Sequence, residues 1–121
     1  MTEADCIFCR IAAGTAPADE LYRDEAIIAF RDLHPQAPVH VLVVPREHIP
    51  SLLDLEPRHA EIVGRLHLVA RSLAERLAVA DRGYRTVFNC GNEAGQSVWH
   101  IHLHLLAGRP MGWPPWPATG G

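Results

Sequence analysis

Apolar residues recur at Ile62, Leu66, Val69, Leu73 and Leu77, three or four positions apart. That is the repeat of one helix face, and it predicts one long helix over residues 57–79. Pro57 suits a first helical turn, Gly83 follows the end, and Arg65, Arg71, Glu75 and Arg76 supply the polar positions. A short helix is expected at 6–13, where Ile7 and Ile11 lie four apart and Gly14 follows as a stop. Strands are expected at 21–23 and 26–31, joined at Asp24-Glu25, and at 39–44, a β-branched run bounded by Pro38 and Pro45. His40 shares a strand face with Leu42 and Val44. Residues 84–89 read as a strand, 90–96 as a Gly-rich loop and 98–106 as a last strand. The order α-β-β-β-α-β-β, with antiparallel connections around one helix, predicts an α+β fold with a five-stranded sheet. At 121 residues the chain is read as one domain, 1–121. Its core spans about 4–107. The tail 108–121 holds four of the ten prolines and two of the three tryptophans, so it is expected to be irregular.

Composition narrows the partners. With 48% apolar and 21% charged residues the chain is an ordinary globular one, and its net charge of −3 gives no reason to expect a nucleic-acid polymer. A small anion remains open, since local donors suffice to bind one. No basic and apolar leader opens the chain, and no apolar run approaches the ~20 residues of a membrane span. A cytoplasmic protein without membrane association is expected. Three cysteines do not suggest a disulfide framework.

The run Ser97-Val-Trp-His100-Ile-His102-Leu-His104-Leu-Leu changes the picture most. On a strand, alternate side chains share a face roughly 7 Å apart, so all three imidazoles point one way. Solvated surface histidines are the bland reading, and strict alternation argues against it. A catalytic zinc held by all three is the second. The third is nucleophilic attack on phosphorus by a neutral imidazole. Gly95-Gln96-Ser97 just before the run favours the third, because backbone N–H groups and a hydroxyl there can hold phosphate oxygens or a leaving group.

The pattern His100-φ-His102-φ-His104-φ-φ, with φ apolar, resembles the signature of the histidine triad superfamily. Phe30-Arg-Asp32-Leu-His-Pro35-Gln36-Ala37-Pro38-Val-His40 is similar to its N-terminal nucleotide segment. Gly83-Tyr84-Arg85, Asn89, Gly95-Gln96-Ser97-Val98 and Trp113-Pro114-Pro115 match its histidine triad nucleotide-binding branch, so the likeness covers roughly residues 4–116. The resemblance implies a purine nucleoside phosphoramidase-like hydrolase. His102 is then the nucleophile at the α-phosphorus, His104 a donor to a phosphate oxygen, and Ser97 the group beside the leaving group. His40 orients the triad, and Asn89, with Gly95 and Gln96, supports the phosphate. Asp32 takes the ribose hydroxyls, while Ile7, Phe8, Ile11, Phe30 and Leu33 form the purine slot. Without the resemblance, those five read as plain core. The family pairs as a homodimer that joins two sheets, and its tail brings Trp113 toward the partner's site. A dinucleoside polyphosphate hydrolase and a nucleotide-binding scaffold are the alternatives.

Cys6-x-x-Cys9 has metal-ligand spacing, but two cysteines do not complete a structural zinc site. The resemblance supplies His48, in Pro45-Arg-Glu-His48, and His100. It thereby implies a structural Zn²⁺ on Cys6, Cys9, His48 and His100, with none needed for the chemical step. The alternative is two buried thiols beside Phe8. Cys90 is read as structural. His34 and Cys90 depart from the family pattern, and the tail runs on past Trp-Pro-Pro to Trp116 and Gly121.

Overall fold

The computed structural model describes residues 5–115. Trp116 and the end of the tail lie outside the described residues. The elements are α1 (Ile7–Ala12), β1 (Glu20–Arg23), β2 (Ile27–Arg31), β3 (Val39–Pro45), α2 (Ala60–Arg76), β4 (Tyr84–Val87) and β5 (Leu103–Ala107). All strands pair antiparallel in the order β1-β2-β3-β5-β4. This is the expected α+β fold.

Strand alternation splits the sheet into two faces. Ile27, Ala29, Val41, Val43, Leu103 and Leu105 turn toward α2 and pack on Leu66, Val69, Ala70 and Leu73. Ile28, Phe30, Leu42 and Val44 turn the other way and pack on Phe8, Ile11 and Ala12 of α1. His104 lies opposite Leu42 in the β3–β5 ladder, so the imidazoles of His40 and His104 belong to the α1 face.

Three elements differ from expectation, the simplest being β4, which ends at Val87 and not at residue 89. The long helix opens with a 3₁₀ turn at Pro57–His59 and closes at Arg76, short of residue 79. Its end comes from Ala78, which takes φ of 61°, while Val79 N–H bonds back to the Ala74 carbonyl. A left-handed residue there ends a helix, and an alanine gives no sequence signal for it.

The last strand begins at Leu103, five residues later than residue 98. Continuing the register from Val43↔Leu103 would bring Ile101 opposite Pro45, which has no N–H to donate. The Ile101 N–H goes to the Ile49 carbonyl instead, at 2.8 Å. His100 and His102 therefore sit on an irregular segment, not on one flat strand face.

α1 is held at its C-terminal end by two arginines. Arg23 donates to the carbonyls of Ala12 at 2.9 Å and Ile11 at 3.2 Å, and Arg46 donates to Ala12 at 3.3 Å. Cations belong at that end of the helix dipole. Among the described residues, no helix is long and apolar enough to cross a membrane.

Candidate active site and adjoining metal site

A cavity of about 280 Å³ opens on the α1 face. Nine of the expected site residues line it: Ile7, Phe8, Ile11, Phe30, Asp32, Leu33, Ser97, His102 and His104. Ile7, Phe8 and Ile11 come from α1, Phe30 from the end of β2, Asp32 and Leu33 from the loop after it, and His104 from β5. The sequence reading missed Pro17, Ala18, Leu42 and Val98, which complete the apolar lining. Leu42 was findable, since it shares a strand face with His40.

Hydrogen bonds to backbone groups fix the state of each imidazole. His102 Nδ1–H donates to the His100 carbonyl at 2.8 Å, which leaves Nε2 with a free lone pair. The Gln36 N–H donates to His40 Nδ1 at 3.0 Å, so His40 carries its proton on Nε2. That proton is donated to His104 Nδ1 at 2.8 Å, and His104 must then carry its own on Nε2. His104 Nε2 is a buried polar atom with no protein partner. A donor of this kind calls for an acceptor from a ligand. The rings of His102 and His104 lie 4.9 Å apart, so a nucleophilic nitrogen and a free N–H adjoin in one cavity.

Burial favours the neutral form of all three imidazoles. It pushes His104 down to about 4 from 6.5, helped by the neighbouring His102 and His40. It lowers His102 against the opposing effects of the His100 carbonyl and Asp32. His40 is lowered for the same first reason. A neutral imidazole near pH 7 is the form that attacks an electrophile.

His100 turns elsewhere. Its Nε2–H donates to the Pro45 carbonyl at 2.7 Å, leaving Nδ1 as a lone pair. That lone pair meets Cys6 Sγ at 3.3 Å, Cys9 Sγ at 3.5 Å and His48 Nδ1 at 3.3 Å, while Cys9 Sγ and His48 Nδ1 lie 3.3 Å apart. A tetrahedral zinc with ordinary bond lengths places such donors roughly 3.3–3.8 Å apart. Burial lowers His100 to about 4, which keeps a proton from competing for Nδ1. The donor set fits Zn²⁺. These four ligand atoms form one cluster, all within 4.8 Å of one another.

The three triad imidazoles do not converge on one point, which removes the reading of a zinc held by all three. His102 Nδ1 is engaged by a carbonyl and His100 Nδ1 faces the cysteines. Asp32, His40 and His104 also bring ligand atoms together. The 2.8 Å between the two nitrogens there is a hydrogen bond, shorter than the roughly 3.3 Å between donors on a tetrahedral ion.

Several expected residues sit outside the cavity lining. Gln96 is a buried brace. Its side chain accepts from the Gly91 N–H at 3.0 Å and donates to the carbonyls of Pro50 at 2.8 Å and Val98 at 3.2 Å. The N–H groups of Gly95 and Gln96 bond to Asn92 and Gly91 within the loop, at 3.0 Å each. Asn89 lines a separate depression with Arg85, Phe88 and Glu93. Trp113 is 84% exposed.

This geometry has close relatives. The family model described as "Scavenger mRNA decapping enzyme C-term binding" matches residues 5–113. A HIT family hydrolase from Legionella pneumophila Philadelphia 1 has a crystal structure that superposes with a TM-score of 0.91 at 45% identity, covering 93% of this chain and 100% of that one. The chain belongs to the histidine triad family. Another member, the purine nucleoside phosphoramidase of Escherichia coli (strain K12), is 43% identical over 108 residues, 89% of this chain and 91% of the relative. The 14 kDa zinc-binding protein of Zea mays is 44% identical over 117 residues, 95% of this chain and 91% of the relative. The triad histidines of this family member thus divide between two places: His102 and His104 in the cavity, His100 beside Cys6, Cys9 and His48.

Proposed function

We propose that the chain transfers the nucleotidyl group of purine nucleoside phosphoramidates, or of related nucleotidyl conjugates, first to His102 and then to water. The observation that carries this reading is the pairing of a free His102 Nε2 lone pair with an unpartnered His104 Nε2–H in one cavity. The name of the Escherichia coli relative supports the substrate class.

The chain's own groups supply the chemistry. Ile7, Phe8, Ile11, Phe30 and Leu33 take the base by apolar burial. Asp32 accepts from the ribose hydroxyls, as an ionised carboxylate can twice over. His102 Nε2 attacks the α-phosphorus, forming a P–N bond as the bond to the leaving amine breaks. The amine takes the electron pair of the broken bond and leaves neutral, with a proton that reaches it from solvent through the Ser97 hydroxyl. His104 Nε2–H donates to the phosphate oxygen on which charge grows, and a donor so placed is worth about 10²–10³ in rate. Water then attacks the nucleotidyl-histidine. Its P–N bond breaks, the electron pair returns to His102 Nε2, the proton lost by the water goes to solvent and a nucleoside monophosphate leaves.

A Zn²⁺ on Cys6, Cys9, His48 and His100 serves structure, since its donors cluster with one another and none of these residues lines the nucleotide cavity. The zinc-binding relative in maize supports it. The working form is a homodimer, with Trp113 near the partner's site, as the family resemblance implies.

Turnover of a panel of nucleoside phosphoramidates and dinucleoside polyphosphates, by wild type and His102→Ala, tests this reading. The phosphoramidates are expected to turn over fastest, and His102→Ala to lose turnover while still binding nucleotide. Full activity in His102→Ala overturns the mechanism, and preference for dinucleoside polyphosphates overturns the substrate class.

A further inference from the structure

α1 belongs to two sites at once. Cys6 caps its N-terminus and accepts from the Cys9 N–H at 3.4 Å. The same two residues give the metal cluster its thiol donors. Between and after them, Ile7, Phe8 and Ile11 line the nucleotide cavity. A helix of six residues has no stability of its own in water, so its position is whatever its anchors make it. Arg23 and Arg46 hold the C-terminal carbonyls. At the other end the thiols meet His48, on the loop after β3, and His100, on the segment entering β5.

Phe8 carries the contact from one site into the other. Its ring stands edge-on to His100 at 5.8 Å, to His102 at 5.0 Å and to Phe30 at 5.5 Å. His100 makes a second link, since its carbonyl accepts a hydrogen bond from His102 Nδ1–H. Movement of the N-terminal half of α1 therefore changes the width of the base slot and the packing against the nucleophile together.

We infer that Cys6 and Cys9 are positioning residues for nucleotide binding: through a metal shared with His48 and His100 they fix α1, so metal occupancy and nucleotide affinity are coupled. The inference rests on the proposed nucleotide site. Coupling of binding free energies is reciprocal, so each ligand must raise the affinity of the other by the same factor. Coupled sites typically show ~5–150-fold effects, and about tenfold is expected here.

The test compares the zinc-loaded full chain with the same chain stripped by chelator. Calorimetry measures binding of AMP and GMP to each. Competition with a chromophoric chelator measures zinc affinity with and without saturating nucleotide. Nucleotide affinity about tenfold weaker in the stripped chain, with zinc affinity raised by a matching factor, supports the coupling. Equal nucleotide affinity in both forms overturns it and leaves the nucleotide site standing. A loaded chain that binds no nucleotide overturns both. If the stripped chain unfolds, the cobalt-loaded chain replaces it. Its ligand-field absorption is expected to shift as nucleotide saturates the site, and an unmoved band overturns the coupling.

Discussion

His40 Nε2 lies 2.8 Å from His104 Nδ1. Because the Gln36 N–H occupies the other nitrogen of His40, this one contact decides which nitrogen of His104 carries a proton. The backbone of the 34–38 loop thus sets the donor that faces the cavity, through two rings.

Breaking that relay leaves His104 free to take either tautomer. His40→Phe keeps most of the packing and removes the donor. It is expected to lower kcat by about 10–100-fold, the range for residues that orient a working imidazole. Nitrogen-15 NMR of the His104 ring checks the cause: the proton is expected on Nε2 in wild type and shared between both nitrogens in the variant. An unchanged ring spectrum with normal kcat would remove His40 from the relay.

The same buried imidazoles make stability depend on pH. His104 titrates at about 4 in the fold against 6.5 for an ordinary histidine, so between those values the unfolded chain binds more protons. Stability from this group is complete above about pH 6.5 and is lost as pH falls toward about 4. His40, lowered by burial, acts in the same direction. Urea midpoints measured through this window are expected to fall with pH. His104→Gln is expected to flatten the slope.

Zinc content follows from the donor geometry. The chain purified without chelator is expected to carry about one zinc per chain, with Cys9→Ser and His48→Ala holding far less. Elemental analysis beside a protein assay measures it. Content well below one that added zinc does not restore would rule the site out.

Ala78 is strained at φ of 61°. A non-glycine residue in the left-handed region costs about 1–2 kcal/mol. Ala78→Gly relieves it, less the extra freedom glycine gains on unfolding, for a net gain of about 1 kcal/mol in denaturant unfolding. No change in activity is expected, because Ala78 does not line the nucleotide cavity.

Local pattern made most of this molecule legible. The 3–4 spacing from Ile62 to Leu73 defines a helix face that packs on the sheet, and the β-branched run 39–44 reads as the buried strand it forms. The motif residues also announced the cavity, with nine of those expected lining it. Gln96 was legible as part of a motif but not as a brace, because its partners at Gly91 and Pro50 come from other segments.

The sequence by itself determined which side chains are present and which local periods they follow. Those periods are intrinsic to helix and strand geometry, so they need no partner to be read. The family resemblance implied how the three triad histidines divide, but only tertiary structure supplies the physical reason. Pro45, remote in sequence, cannot extend the ladder past Leu103, and its carbonyl and that of Ile49 capture His100 and Ile101 instead. An imidazole's tautomer follows from whichever group meets each nitrogen, and those groups here come from other segments or from backbone atoms. Hence the roles proposed for His102, His104 and His100 rest on contacts that only the fold brings together.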